Sequence, residues 1–145
     1  MTEIYRSIKL DGDAIFIKNT KAALDLVAKA ENGYLDFVKA YVGGIRQAEK
    51  SGIHSTKTPP IFDVGYKTYT SNRNWYASAF VHEAYHSYLY RIGEPHSGLE
   101  AERRCMEYQI GFLQTIGAPE YMTEYLRSLI DNKTDYFSDY KNRNW

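Results

Sequence analysis

The residues of this chain best suited to chemistry are His82-Glu83-Ala84-Tyr85-His86. Two histidines separated by three residues stand one turn apart on an α-helix, about 40° from each other in projection, so their imidazoles can converge on one zinc ion. Glu83 is turned about 100° from His82. That is too far round to join the histidines comfortably as a ligand, but it lets the carboxylate reach a water on the metal as a general base. The spacing requires an unbroken helix, and Tyr76-Ala77-Ser78-Ala79-Phe80-Val81 supplies a run free of glycine and proline. The plainer reading is a helix with two unrelated histidines and an unrelated glutamate.

A catalytic zinc site wants three protein ligands and one open position. A histidine six residues after His86 would give a metzincin pattern, but that position is Ile92, and Leu89 stands where the pattern needs glycine. His96 lies in a loop without defined spacing. The next helical stretch offers carboxylates. At about 100° per residue, Ala101, Cys105, Gln109, Phe112, Leu113 and Ile116 share one face, which must be the buried one. Glu102 falls about 40° from the centre of that face, whereas Glu100 and Glu107 fall almost opposite it, beside Arg103 and Gln114. Burying a carboxylate is costly unless it is paired or bound to a metal. Glu102 is therefore either the third ligand or one half of a salt bridge across the core. Cys105, at the centre of the apolar face, reads as a packing residue.

With these residues in view, the chain resembles the gluzincins, zinc peptidases with H-E-x-x-H on one helix and a glutamate ligand on the next. The resemblance covers roughly residues 58–117 and rests on His82-Glu83-Ala84-Tyr85-His86 and Glu102-Arg103-Arg104-Cys105. It implies zinc held by His82, His86 and Glu102. Glu83 would act as the catalytic base that takes a proton from water and passes it to the leaving amine. It also implies an edge strand before the motif helix that binds extended peptide by strand addition, a place that residues 66–70 would fill. A tyrosine or histidine for the oxyanion is expected, with His96, Tyr85, Tyr121 and Tyr125 as candidates. Asp63, Gln109 and Asp131 are candidate acceptors behind the histidines. The large C-terminal subdomain of bigger members is missing, so residues 118–145 would floor the cleft, and the aromatic stretch 133–145 could plug it.

The elements that must position these groups follow from pattern. Residues 3–10 alternate as a strand, Asp11-Gly12-Asp13 reads as a turn, and Ala14-Ile15-Phe16-Ile17 as the hairpin partner. A helix starts at Lys21, and a second carries Leu35, Val38, Val42 and Ile45 to near Ser51-Gly52. Ile61-Phe62-Asp63-Val64 and Tyr66-Lys67-Thr68-Tyr69-Thr70 read as strands. Helices then cover about 74–90, 98–116 and 119–131. The expected fold class is α+β: a helical domain with a small, mainly antiparallel sheet, forming one domain over residues 1–145.

Composition sets the outer bounds. The chain has 145 residues, 43% hydrophobic and 25% charged, the balance of a soluble protein. Eighteen basic residues offset eighteen acidic ones, leaving no basic excess for nucleic acid. Neither a signal peptide nor an 18-residue apolar run is visible, so a cytoplasmic protein without membrane contact is expected. Cys105 is the single cysteine, which excludes an internal disulfide. Fourteen tyrosines suit half-buried packing or a phenol-lined cleft. The function expected is zinc-dependent hydrolysis of a peptide or protein substrate. The alternatives are a zinc hydrolase of a non-peptide bond and a non-catalytic zinc-stabilised interaction module.

Overall fold

The computed structural model describes residues 1–131, in which six helices accompany one five-stranded sheet in an α+β arrangement. The chain opens with β1 (Thr2–Tyr5) and β2 (Ile8–Asp11), joined by a two-residue turn in which Arg6 and Ser7 both have positive φ. The hairpin turn is thus at residues 6–7 and not at Asp11-Gly12-Asp13. Asp13 instead caps α1 (Ala14–Lys29), its side chain accepting from the Phe16 N–H at 2.8 Å. The apolar run 14–17, expected as a strand, is the first turn of this helix. Phe16 and Ile17 continue as Thr20, Ala23, Leu24 and Val27 on one buried face.

Helix α2 (Tyr34–Tyr41) stops about ten residues short of the expected end, and the chain becomes β3 (Gly44–Gln47). Val42 is already extended, and Gly43 lies so close to Pro59 that an added Cβ would stand 2.3 Å from the proline Cβ. Next come β4 (Gly52–His54), β5 (Ile61–Val64) and the single turn α3 (Tyr66–Tyr69). The residues expected as a strand at 66–70 are helical because the Gly65 carbonyl takes the Thr68 and Tyr69 N–H groups, burying Thr68 and Tyr69 while Tyr66 stays exposed.

The sheet order is β1-β2-β3-β5-β4. Its outer pairs, β1/β2 and β4/β5, are antiparallel, and its inner pairs, β2/β3 and β3/β5, are parallel. The sheet is therefore mixed and not mainly antiparallel, because α1 and α2 form a crossover that returns β3 parallel to β2. Ile8, Leu10, Ile45, Phe62 and Val64 bury one face against the helices. On the opposite face Arg46 bonds both Asp63 oxygens, at 2.7 and 3.0 Å, and His54 reaches the same carboxylate at 2.7 Å.

Three long helices complete the described residues. Helix α4 (Arg73–Arg91) starts at Asn72, whose side chain accepts from the Asn74 N–H at 2.8 Å. It is buried nearly all round between α1, α2 and α5 (Leu99–Thr115), and α6 (Glu120–Asp131) packs on α5. No helix among the described residues is long and apolar enough to cross a membrane.

Candidate metal centre

Helix α4 carries His82, Glu83 and His86, and α5 brings Glu102, Cys105 and Gln109 against them. On α5 these three stand at intervals of three and four residues and share one face. Both histidines are almost fully buried, as are Glu83 and Glu102. The Glu102 carboxylate spans the two imidazoles, with Oε2 2.9 Å from His82 Nε2 and Oε1 2.8 Å from His86 Nε2. Glu83 is set apart, its nearest approach to His82 Nε2 being 3.9 Å. Glu102 thus meets both histidine Nε2 atoms, while Glu83 opens onto the neighbouring cavity.

The tautomers follow from the hydrogen-bond chain. Ser78 Oγ donates to the Trp75 carbonyl at 2.7 Å, so it accepts from Gln109 Nε2 at 2.9 Å. The Gln109 carbonyl oxygen then faces His82 Nδ1 at 2.7 Å and can only accept. His86 Nδ1 likewise donates to the His96 backbone carbonyl at 2.8 Å. Each Nδ1 therefore carries a hydrogen, and each Nε2 is the atom turned toward Glu102. Orientation of this kind raises the basicity of an imidazole and fixes it for a metal.

The electrostatics match an ion pair in the metal-free protein. Burial would raise the Glu102 pKa, but the charge and hydrogen bond of His82, with those of His86, hold it well below the carboxylate range. Burial would lower the His86 pKa, but its hydrogen bonds to Cys105 and Glu102 and nearby negative charge hold it well above 6.5. Cys105 is fully buried, and its Sγ lies within 4.8 Å of a nitrogen of each histidine. Burial pushes its thiol up to about 11, despite the His86 contact. Two donor sets therefore exist, the histidines with Glu102 or the histidines with Cys105. Both sets share the His86 proton, but the Glu102 carboxylate is already ionised at neutral pH, whereas the thiol would have to lose a proton of its own.

A cavity of about 360 Å³ opens beside the centre, lined by Glu83, His86, Glu102, His96, Ser97 and residues 51–56. β4 forms one wall, and it is the terminal strand of the sheet. The edge strand beside the histidines is thus β4 and not residues 66–70. Of the oxyanion candidates, His96 lines this cavity. Tyr85 packs among Phe37, Tyr88 and Tyr108, and Tyr121 and Tyr125 lie exposed on α6.

Of the acceptors expected behind the histidines, Gln109 is in place. Asp63 lies on the far face of the sheet, because its neighbours Phe62 and Val64 face the core, and it pairs with Arg46 and His54. Asp131 is exposed at the end of α6. Glu100 and Glu107 are exposed and both bond Arg103. The stretch 133–145, expected as a cleft plug, lies outside the described residues. Sequence reasoning missed the wall at 51–56 and the role of Ser78, and it read Cys105 as a packing residue, which is buried but also approaches both histidines. A three-residue step from Glu102 was the signal for Cys105.

Compared with known proteins, the chain matches no family model, no curated protein and no solved structure.

Proposed function

We propose that this chain is a zinc-dependent hydrolase, a small gluzincin-type metallopeptidase. The observation that carries the reading is the pinning of both Nδ1 atoms to carbonyl oxygens, which aims both Nε2 atoms at one buried carboxylate. Two imidazoles and a carboxylate are the donor set of several catalytic zinc sites. His82, His86 and Glu102 would hold the ion, and a bound zinc ion supplies the Lewis acidity that makes a water nucleophilic near neutral pH.

Glu83 accepts the proton of the attacking water and delivers it to the leaving amine, as a general base and then a general acid. Its buried position on the cavity wall puts it within reach of a substrate in that cavity. An extended peptide can lie along β4, adding backbone hydrogen bonds at the sheet edge. His96, the oxyanion candidate that lines the cavity, can donate to developing negative charge.

One observation favours a second reading. Cys105 beside both histidines offers a fourth donor, and a site closed by four protein ligands is structural, as in a zinc-stabilised interaction module. Elemental analysis separates the readings when joined to activity. The peptidase reading expects about one zinc per chain, lost in Glu102→Ala and kept in Glu100→Ala. It also expects peptide cleavage that Glu83→Gln abolishes while zinc stays bound. Absence of zinc after reconstitution sinks both readings, and zinc without cleavage of any peptide sinks the peptidase.

A further inference from the structure

The cavity at the metal centre ends against Ser55 and Thr56, and the same two residues wall a second cavity of about 460 Å³. This one lies between the end of α2, the end of α4 and the β4–β5 loop, and is lined by Tyr41, Lys57, Pro59, Ser87, Tyr90 and Arg91. Ser87 immediately follows His86 on α4, and its hydroxyl donates to Ser55 at 3.3 Å beneath the shared wall. The two cavities are thus neighbours along one groove.

The second cavity carries charge of one sign. The charged residues that line the second cavity are Lys57 and Arg91, both cations. The Arg91 guanidinium stands 5.9 Å from the centre of the Tyr41 ring, which holds it at the cavity wall. The metal cavity instead carries the carboxylates of Glu83 and Glu102. β4 ends in a turn at Ser55-Thr56, where the Lys57 N–H donates to the His54 carbonyl at 3.2 Å, and because these turn residues wall both cavities a peptide running off the end of β4 faces the second one. An acidic group there is attracted by Lys57 and Arg91.

We propose that the second cavity is a carboxylate-selecting subsite of the substrate groove, taking an acidic side chain or the terminal carboxylate of a peptide extended along β4. Lys57 and Arg91 set the preference, and Tyr41, Pro59 and Tyr90 pack the apolar part of the residue that enters. The assignment rests on the peptidase reading for the direction of the groove.

The test uses zinc-loaded full-length Glu83→Gln protein and fluorescent peptides in which one Glu is scanned through an otherwise neutral sequence. Each peptide is compared with its Gln counterpart, with the C-terminus free or amidated, by fluorescence anisotropy. Glu at one register is expected to bind about fivefold more tightly than Gln. A dependence on the free C-terminus in place of register identifies the terminal carboxylate as the bound group. Adding Lys57→Glu and Arg91→Glu, both at exposed positions, is expected to reverse the preference toward Lys peptides. Equal binding of Glu, Gln and free-acid peptides, or a preference untouched by the charge reversal, overturns the subsite, as does no peptide binding at all. Wild-type protein that fails to cleave a peptide bound with this preference overturns the peptidase reading and leaves the subsite standing.

Discussion

His82 donates its Nδ1–H to the side-chain carbonyl of Gln109 across 2.7 Å, joining α4 to α5 directly behind the candidate metal centre. The bond is directional because Ser78 and the Trp75 carbonyl leave the Gln109 amide one orientation. All three side chains in the relay are buried, so none can exchange its partner for bulk water.

Replacing Gln109 by Leu keeps the volume and removes the acceptor. Zinc affinity is expected to fall about 10- to 100-fold, the usual loss for a partner behind a metal ligand. Stability should fall by about 1–3 kcal/mol, since the His82 Nδ1–H is left buried without an acceptor. Chelator competition and chemical denaturation measure the two effects. An unchanged zinc affinity would show that Gln109 does not orient a ligand.

For the proposed zinc site, the ion pair of Glu102 with His86 makes uptake depend on pH. The His86 pKa is raised, so its contribution to metal-free stability is complete below the unfolded value of 6.5 and is lost as pH rises through the folded value. The Glu102 pKa is lowered, so its contribution is complete above 4.5 and is lost as pH falls through the folded value. Both act together between 4.5 and 6.5. Zinc must displace the His86 proton, so the rise in Tm on adding zinc should be larger near pH ~8 than near pH ~6. A zinc shift that is flat across this range counts against His86 as a ligand.

The centre was more legible in the sequence than the sheet was, and for a physical reason. Helix α4 runs from Asn72 as a cap through a stretch without glycine or proline, and its period alone stacks His82 over His86. The same 100° step put Glu102 on the buried side of α5 and Glu100 and Glu107 in solvent, where they are found. Ala14-Ile15-Phe16-Ile17 carried no such signal, because four consecutive apolar residues suit a strand or a buried helical turn equally. Asp13 as a cap decided between them. β4 is three residues long, and only its pairing with β5 defines it. The meeting of Cys105 with the histidines is tertiary, set by how α5 packs on α4.

In the proposed zinc site Cys105 and Glu102 are rival third ligands, and their protonation decides between them. Glu102 is ionised at neutral pH, while burial holds the Cys105 thiol near 11. Cys105→Ala is expected to retain zinc, and Glu102→Ala to lose it. Cobalt-loaded protein should lack the near-ultraviolet thiolate-to-metal band of a cysteine ligand. A strong band that disappears in Cys105→Ala reverses the assignment and favours the closed, non-catalytic site.

Asp63 tests whether the far face of the sheet is independent of the centre. It bonds Arg46 and His54, and these contacts lower its pKa although burial opposes them. A lowered pKa contributes stability above the unfolded value of 3.8, lost as pH falls through the folded one. Arg46 and His54 are each 42% exposed, so water screens the network, and Asp63→Asn should cost about 1 kcal/mol or less at neutral pH. In thermal unfolding the gap between variant and wild type should close as pH drops below 3.8. Zinc content should be unaffected, because Phe62 and Val64 turn Asp63 away from α4. Loss of zinc in Asp63→Asn would mean that the sheet's outer face supports the metal ligands after all.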